Sequence, residues 1–299
     1  MKTLLFVLLI VQSFLSYSQE IDELKNEINE LLADKEATVG VAILGENPQD
    51  TLSINGNVQL PMQSVYKYHL GAAVLHEVDK GTISLTDSME ITPADLDNEL
   101  WSMIRRKYPE GAKLPISEVL KYTIANSDNV GCDMLFDLIG GPEKVDTYMH
   151  ESGISDIAVK HKEITIQSDW ELQYQNWTTA CAGVLALRTF YENKEGQLSE
   201  ESHAYLWDVM KTSWSGKISM RTYLPEKIVL AHKTGHSGKN EDGLTAAQNE
   251  MGIIFLPCGE PVYLSVFVSN SMEEKEVNKQ LIADITKLTY NHFVSRKKK

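Results

Sequence analysis

The sequence predicts an α/β protein of the α+β type, in which an antiparallel sheet domain with flanking terminal helices is interrupted by an inserted all-helical domain. Strand-like runs occur near both ends of the chain, a helical pattern fills the middle, and amphipathic helices flank the strands. Because an isolated hairpin is only marginally stable, the strands from the two ends are expected to pair into one sheet. The cleft between sheet and helices is then the expected place for a small-molecule site.

The composition is that of a soluble globular protein with an acidic surface. Of 299 residues, 42% are hydrophobic and 23% are charged, which suits one large domain or two closely packed ones. The net charge of −14 disfavours nucleic acid and anionic membranes as partners, and no segment has 18 consecutive apolar residues. We therefore expect no nucleic-acid partner, no stable membrane association and, by default, a monomer.

The first 18 residues have the layout of a signal peptide. Lys2 precedes an apolar run from Leu4 to Val11 that is too short to span a bilayer, and the small and polar residues Ser16-Tyr17-Ser18 follow. A buried N-terminal helix is the alternative interpretation. The sequence therefore predicts export to the periplasm, with cleavage near residue 18 or 19.

Residues 19–60 and 211–299 are predicted to form the sheet domain. Apolar residues on one face predict a helix over 21–32, and the turn-rich segment Gly45-Glu46-Asn47-Pro48 separates two strand-like runs at 38–44 and 50–54. Near the other end, strands are predicted at 228–232, 251–256 and 262–268, before an amphipathic helix over 273–293.

Residues 61–210 are predicted to form the helical domain. Its first helix, 64–80, has apolar side chains at helical spacing and ends before Gly81. Further helices are predicted at 117–124, 130–139, 142–151, 179–191 and 199–210.

Three cysteines are an odd set for an exported protein. Cys132, Cys181 and Cys258 allow at most one disulfide, and none belongs to a C-x-x-C pair. We expect buried thiols that pack as small apolar residues.

The first candidate for catalysis is Ser64-Val65-Tyr66-Lys67, an S-x-x-K at the head of a predicted helix. Residues three apart share a helix face, so the Lys67 amine can reach the Ser64 hydroxyl. Desolvation in a cleft would lower the pKa of Lys67 enough to help it activate the serine. The motif alone is weak, because Ser295 and Lys298 repeat the pattern in the basic tail.

Two further motifs follow in order. Ser127-Asp128-Asn129 lies between two predicted helices, where it is either an ordinary helix cap or a proton donor and amide positioned for substrate. Lys233-Thr234-Gly235 follows a predicted strand, where a cation and a hydroxyl suit a substrate carboxylate and the glycine lets substrate approach the strand. The alternative interpretation of this motif is a strand followed by a turn.

Together, S-x-x-K, S-D-N and K-T-G in this order are similar to the penicillin-recognising serine enzymes. Nearly the whole mature chain resembles the class A serine β-lactamases, which have the β-lactamase/transpeptidase-like fold. The resemblance is strongest to the PER- and VEB-type extended-spectrum branch. It is carried there by the segments Pro61-Met62-Gln63-Ser64-Val65, Ser127-Asp128-Asn129-Val130-Gly131-Cys132-Asp133 and Gln173-Tyr174-Gln175-Asn176-Trp177.

The resemblance implies a role for each motif residue. Ser64 would attack the lactam carbonyl, Lys67 and Ser127 would move protons, and Asn129 would bind the acylamide side chain of the substrate. The backbone N–H groups of Ser64 and His236 would form the oxyanion hole. Lys233 and Thr234, next to Gly235, would hold the substrate carboxylate.

In class A enzymes a glutamate on an Ω-shaped loop activates the water that frees the acyl-enzyme. Glu163 matches it here, on a loop predicted around 158–177, and Gln167 replaces the usual asparagine four residues later. His161 and Asn176 stand approximately where an arginine–aspartate pair usually closes this loop. The loop is then looser, wider or held by other hydrogen bonds, which would suit bulky oxyimino-cephalosporins.

Other departures concern the substrate side of the site. His236 follows K-T-G where the branch often has threonine, so its side chain is a candidate for a pH-dependent contact near neutrality. Arg221 is the nearest candidate for the distal arginine of the carboxylate pocket, with a structural role as the alternative. Gln63 replaces a disulfide cysteine of some carbapenem-hydrolysing relatives, so strong carbapenem hydrolysis is not predicted.

The sequence thus predicts a β-lactam hydrolase without metal or cofactor. A penicillin-binding DD-peptidase and a non-catalytic penicillin sensor share the three motifs, and Glu163 favours the lactamase over both. A metallo-hydrolase is disfavoured, because no H-x-H-x-D cluster accompanies His232 and His236.

Overall fold

The computed structural model describes residues 20–214 and 218–296. The predicted signal peptide lies outside the described residues. In chain order, the strands are β1 (Thr38–Leu44), β2 (Thr51–Ile54), β3 (Leu60–Pro61), β4 (Ser88–Ile91), β5 (Ala112–Pro115), β6 (Ile157–Ala158), β7 (Trp177–Thr178), β8 (Leu230–His236), β9 (Thr245–Phe255) and β10 (Pro261–Ser271). The helices are α1 (20–32), α2 (Tyr66–Asp79), α3 (Pro93–Leu96), α4 (Met103–Lys107), α5 (Ile116–Ala125), α6 (Asn129–Ile139), α7 (Pro142–Glu151), α8 (Glu163–Ser168), α9 (Ala180–Glu192), α10 (Glu200–Lys211) and α11 (Lys275–Arg296).

The strands from the two ends of the chain form one antiparallel sheet, in the order β2-β1-β10-β9-β8. Thr38 pairs with Ser269 across β1 and β10, and His232 pairs with Gly252 across β8 and β9. The predicted fold class is therefore confirmed. The assigned domain boundaries at 60/61 and 210/211 stay a prediction.

Two apolar cores lie on opposite faces of this sheet. One joins the terminal helices to the sheet through residues such as Leu24, Ile28, Val41, Val266 and Ile285. The other joins the opposite sheet face to the helices of the middle segment, around α2, which is buried from Tyr66 to Leu75. Because both faces are covered, β9 is almost entirely buried along its length, which explains the near-continuous apolar sequence of its second half.

Helix α9 approaches β10 closely because Gly183 has no side chain. A Cβ at Gly183 would meet the Ser265 hydroxyl at 2.7 Å. A larger residue at Gly183 would therefore require the Ser265 side chain to shift.

The structure differs from the sequence predictions in three places. The middle segment is not all helical, because it contributes to two small sheets. One consists of β4 and β5, and the other has the strand order β3-β7-β6. These strands have two to four residues, too few to show an alternating pattern. Strand β8 also continues through His236, so Lys233-Thr234-Gly235 is part of the strand and not a turn after it. Strand β9 begins six residues earlier than predicted, at Thr245, because the polar residues Gln248 to Glu250 are buried in the sheet.

The cysteines are all free thiols, and the expectation that all three are buried is wrong. Cys132 is buried, Cys181 is partly exposed and Cys258 is exposed. Cys258 lies in the turn between β9 and β10, at the protein surface.

Candidate active site

The nucleophile candidate, Ser64, lies in a short 3₁₀ turn (Gln63–Val65) that leads into α2. Gln63 has a left-handed backbone with φ of 49°, a conformation that costs a non-glycine residue energy unless its surroundings hold it. Here the Gln63 side chain is held by Gln173, to which its Nε2 donates at 2.6 Å. One turn further on, the fully buried Lys67 donates from Nζ to Ser64 Oγ at 2.7 Å.

The Lys67 ammonium connects Ser64 to the predicted base. Its Nζ donates to the Asn129 Oδ1 at 2.7 Å and also forms an ion pair with the Glu163 carboxylate, which is 4% exposed. Burial by itself would lower the pKa of Lys67, but the adjacent Glu163 charge and hydrogen bond outweigh it and the pKa is raised. The sequence expectation of a lowered Lys67 pKa is therefore wrong, because it left out the buried carboxylate.

The S-D-N motif combines a helix cap with a group that faces the site. Asp128 caps α6 by accepting from the Gly131 N–H at 2.8 Å, and it also accepts from Ser102 and Ile104. Ser127, just before the cap, has a left-handed backbone with φ of 57°, a conformation that costs a non-glycine residue energy. The Ser127 Oγ accepts a hydrogen bond from Lys233 Nζ at 3.1 Å. The cap interpretation therefore holds for Asp128, and the functional interpretation of Ser127 and Asn129 stays a prediction.

Strand β8 brings the K-T-G residues against the turn that carries Ser64. A Cβ at Gly235 would lie 2.5 Å from the Met62 carbonyl oxygen and 3.1 Å from the Val65 nitrogen. Gly235 is thus needed for contact between strand and turn, a different reason from the substrate approach that the sequence suggested. Burial, and then repulsion from Lys67, lower the pKa of the 1% exposed Lys233 to about 7.

A cavity of about 450 Å³ is lined by half of the predicted site residues. Its lining includes Ser64, Asn129, Glu163, Gln167 and His236. Lys67, Ser127 and Lys233 do not line it but contact Ser64 or one another, while Thr234 faces a neighbouring cavity. The exposed side chain of Gln167 makes no hydrogen bond within the described part of the chain.

The loop that carries Glu163 is closed by hydrogen bonds to Asn176. Ala158 pairs with Trp177, which brings the two ends of the loop together. The fully buried Asn176 side chain accepts from the backbone N–H groups of Lys160 and His161, at 2.7 and 2.9 Å, and donates to the His161 carbonyl at 2.8 Å. Of the alternatives that the sequence left open, the structure shows a loop held by hydrogen bonds.

Asn176→Ala is expected to destabilise the fold by about 3 kcal/mol, because it leaves two N–H donors and a carbonyl of the loop unpaired in a partly buried place. Thermal or urea unfolding measures the change. His161→Ala is the matched control, since its ring bonds only the Gln175 side chain, at 2.9 Å, in an exposed setting. Equal losses of stability in the two variants would contradict this role for Asn176.

Two positioning residues had no role in the sequence analysis. Asp133 accepts from the N–H groups of Glu163 and Ile164, at 2.7 and 2.9 Å, and so fixes the first turn of α8. Asn249 donates to the carbonyls of Pro61 and Met62, at 2.7 and 3.2 Å, just before the nucleophile. Asp133 belongs to the segment that contains S-D-N, so a comparison of motifs could have indicated it. Nothing in the sequence around Asn249 indicates its partners.

His236 is uncharged near neutrality. The His236 side chain lies at the edge of the cleft and is exposed on one side. The pKa of its ring is lowered to about 4, first by partial burial and then by the neighbouring ammonium groups of Lys275 and Lys279. The proposed pH-dependent contact of this side chain near pH 7 is therefore wrong. Arg221 donates to the backbone carbonyls of Pro225 and Ile228, which is the structural alternative that the sequence allowed.

Substrates with a carboxylate are expected to show a kcat/KM that falls above about pH 7, with the same profile in wild type and in His236→Thr. Lys233 loses its charge as the pH rises through about 7, whereas the His236 ring is already neutral from pH 5 to 8. Steady-state kinetics from pH 5 to 9 test both parts. A profile that changes shape in His236→Thr would contradict the assignment.

Comparison with known proteins identifies this arrangement. A family profile described as "Beta-lactamase enzyme family" matches residues 23–293. The chain belongs to the β-lactamase enzyme family. Its resemblance to the class A enzymes of PER and VEB type is confirmed.

This β-lactamase is similar along nearly its whole length to relatives from Pseudomonas aeruginosa. It is 41% identical to β-lactamase VEB-1 over 99% of both chains, and 38% identical to the extended-spectrum β-lactamase PER-1 over 94% of this chain and 92% of that one. The crystal structure of the TLA-1 extended-spectrum β-lactamase superposes with a TM-score of 0.88 at 42% identity. The match covers 92% of this chain and 99% of TLA-1. The protein is thus a serine β-lactamase of class A, a β-lactam hydrolase.

Proposed function

We propose that this enzyme hydrolyses β-lactams through an acyl-enzyme on Ser64, which a water molecule activated by Glu163 then releases. One observation carries the proposal: the buried Lys67 ammonium contacts both the Ser64 hydroxyl and the Glu163 carboxylate, beside a cavity that these two residues line. Nucleophile, proton carrier and base are thereby in direct contact before substrate arrives.

In the acylation step, the raised pKa of Lys67 determines where the proton goes. An ammonium cannot accept a proton, so the Ser64 proton passes to the Glu163 carboxylate, either through water or through Lys67 as it gives one proton and takes another. The Ser64 oxygen bonds to the lactam carbonyl carbon, and the C–N bond breaks. Ser127 hands its proton to the leaving nitrogen and takes one back from the Lys233 ammonium that it contacts. Lys233 is reprotonated by the proton that Glu163 received, relayed through Lys67 and water, so Glu163 is a carboxylate again when acylation is complete.

The remaining residues hold the substrate. The backbone N–H groups of Ser64 and His236 stabilise the oxyanion, an effect worth about 3–4 kcal/mol for one donor. Lys233 and Thr234 bind the carboxylate of the β-lactam, and Asn129 and Gln167 face its acylamide side chain from the edge of the cavity. In the second step, Glu163 takes a proton from the water that attacks the ester carbonyl carbon. The bond between the Ser64 oxygen and the acyl carbon then breaks, and the proton passes through Lys67 to Ser64, which returns to its hydroxyl form.

Extended-spectrum cephalosporins are the proposed preferred substrates. The proposed result of their hydrolysis is resistance to these antibiotics. PER-1 and TLA-1 carry that description in their names. Two features of this site support the preference. Gln167 is exposed at the cavity edge, and hydrogen bonds to Asn176 close the loop in place of the usual arginine–aspartate pair. A kcat/KM for an oxyimino-cephalosporin far below that for a small penicillin would contradict this preference.

Export to the periplasm is proposed from the pattern of residues 1–18. Among the described residues, no helix combines the length and apolar character needed to cross a membrane. N-terminal sequencing of the protein recovered from the periplasm tests the cleavage near residue 18 or 19, and an intact Met1 in the periplasmic protein would contradict it.

Turnover of a chromogenic cephalosporin tests the proposal through a matched pair of serines. Ser64→Ala is expected to abolish hydrolysis, whereas Ser295→Ala, in the second S-x-x-K of the chain, is expected to leave it unchanged. Ser295 is exposed and only donates to the His292 carbonyl. Residual turnover at the wild-type rate in Ser64→Ala would overturn the assigned nucleophile.

A further inference from the structure

The segment of chain that leads to Glu163 is held by side-chain oxygens. Between β6 and the first turn of α8, successive backbone N–H groups donate to three polar side chains. The pairs are Val159 with Asp146, Lys160 and His161 with Asn176, and Glu163 and Ile164 with Asp133. Because these N–H groups have side-chain acceptors instead of a backbone ladder, the position of the segment depends on where the three acceptors lie.

Asp146, on α7, is the acceptor nearest to the start of the segment. It is 9% exposed, and its Oδ1 accepts from the N–H of the fully buried Val159 at 2.8 Å. Its Oδ2 faces two basic side chains, with the Lys160 Nζ at 3.3 Å and the His150 Nδ1 at 3.6 Å. A hydrogen bond from a buried N–H to a carboxylate is a strong one, so Asp146 fixes the point at which the chain leaves β6.

Helix α7 packs against α2, the helix that carries Lys67. The ring of Tyr148, on α7, stacks on the ring of His76, on α2, with their centroids 4.2 Å apart. Val145, next to Asp146, is fully buried in the core that surrounds α2. Asp146 therefore places the segment relative to the same pair of helices that places Lys67.

The contact between Lys67 and Glu163 depends on this common placement. Lys67 belongs to a long helix, whereas Glu163 reaches it from the loop. Asp133 holds the first turn of α8 from α6, and Asp146 holds the start of the segment from α7. A base that must align a water with an ester loses rate steeply when it shifts, since a misplacement of about 1 Å can cost about 10²-fold.

We propose that Asp146 is a positioning residue for Glu163, which acts through the Val159 N–H and supports deacylation. The inference rests on the proposed function, in which Glu163 activates the hydrolytic water. Glu163 takes part in both steps, but in acylation the Lys67 ammonium bridges it to Ser64, whereas in deacylation it must align the water itself. Deacylation therefore depends on Asp146 more than acylation does.

The test measures the deacylation rate constant as the decay of the covalent adduct, by quenched-flow mass spectrometry with a chromogenic cephalosporin. Asp146→Ala is expected to slow deacylation about 10- to 100-fold. Because the acyl-enzyme then accumulates, kcat and KM should fall together while kcat/KM stays within about threefold. A smaller folded fraction would instead lower kcat and kcat/KM equally and leave KM unchanged. Alanine is a strong helix former, so α7 should persist.

Two matched variants separate the hydrogen bond from other effects. Asp146→Asn keeps an oxygen that can accept from the Val159 N–H, and is expected to restore most of the deacylation rate that Asp146→Ala loses. Asp137→Ala removes an aspartate of α6 that contacts the same segment through the Lys162 ammonium, in an exposed setting, and not through a backbone N–H. It is expected to leave deacylation unchanged.

Deacylation by Asp146→Ala at the rate of Asp137→Ala would overturn the inference and leave the proposed function intact. Equal slowing in Asp146→Asn and Asp146→Ala would also overturn it, because the Val159 hydrogen bond would not be the cause. If Asp146→Ala does not fold, amide hydrogen exchange of the wild type decides. The Val159 N–H should exchange as slowly as those of α7, and exchange as fast as that of the exposed Glu195 would overturn the inference. A Glu163→Gln variant that forms no persistent adduct overturns the proposed function itself.

Discussion

Glu163→Gln is expected to acylate and then stall, with deacylation slowed about 10²–10⁴-fold, or roughly 3–5 kcal/mol of transition-state stabilisation. Glutamine has the same size as glutamate and keeps an oxygen that can accept a hydrogen bond from Lys67 Nζ. The geometry around Lys67 should therefore persist. What it cannot do is take a proton from water. Mass spectrometry of the mixed enzyme and substrate would show the covalent adduct accumulate.

The control for this variant is another glutamate on the same loop. Glu171 is exposed in the 3₁₀ turn Trp170–Gln175 and does not line the cavity, so Glu171→Gln should turn over at the wild-type rate. If Glu163→Gln deacylated as fast as Glu171→Gln, the base would have to be a different group.

Lys67→Ala is expected to have the largest combined effect, on stability as well as on activity. It removes the ammonium that contacts Ser64, Asn129 and Glu163 at once, so acylation should slow at least about 10²-fold. It also leaves the Glu163 carboxylate buried without its partner charge, which typically costs about 3–5 kcal/mol of folding free energy. Chemical denaturation and single-turnover kinetics measure the two losses separately.

A double-mutant cycle shows whether the stability loss comes from the unpaired charge. Lys67→Ala/Glu163→Gln should be more stable than Lys67→Ala alone, because no ionised group is then buried without a partner. Lys239→Ala, which breaks an exposed pair with Glu274, should stay within about 1 kcal/mol of wild type. A double variant less stable than Lys67→Ala would contradict the charge-pair explanation.

The parts of the fold with strong periodicity were predictable from the sequence. The helix around α2, with its apolar residues at helical spacing and Gly81 after its end, and strand β1 have clear patterns. The meeting of the two chain ends in one sheet followed from the instability of a lone hairpin. The short strands β4 to β7 were missed, because a pairing of two to four residues depends on tertiary contacts more than on pattern.

At the site, the sequence indicated which residues have suitable chemistry but not how they affect one another. The pKa of Lys67 was expected to fall because burial alone lowers it, and it rises because Glu163, 96 residues later, becomes its buried partner. The pKa of His236 moves out of the neutral range through burial and two lysines of the last helix. Such effects depend on three-dimensional distances, which motif spacing does not give.

The most direct test of the mechanism is the intact mass of the wild-type protein during and after turnover of a chromogenic cephalosporin, followed alongside Ser64→Ala and Glu163→Gln. The mechanism predicts rapid multiple turnover with the wild-type mass recovered at the end, no adduct on Ser64→Ala, and a persistent adduct on Glu163→Gln. A stoichiometric adduct that persists on the wild type would contradict it, because the protein would then bind penicillins covalently without a working deacylation step.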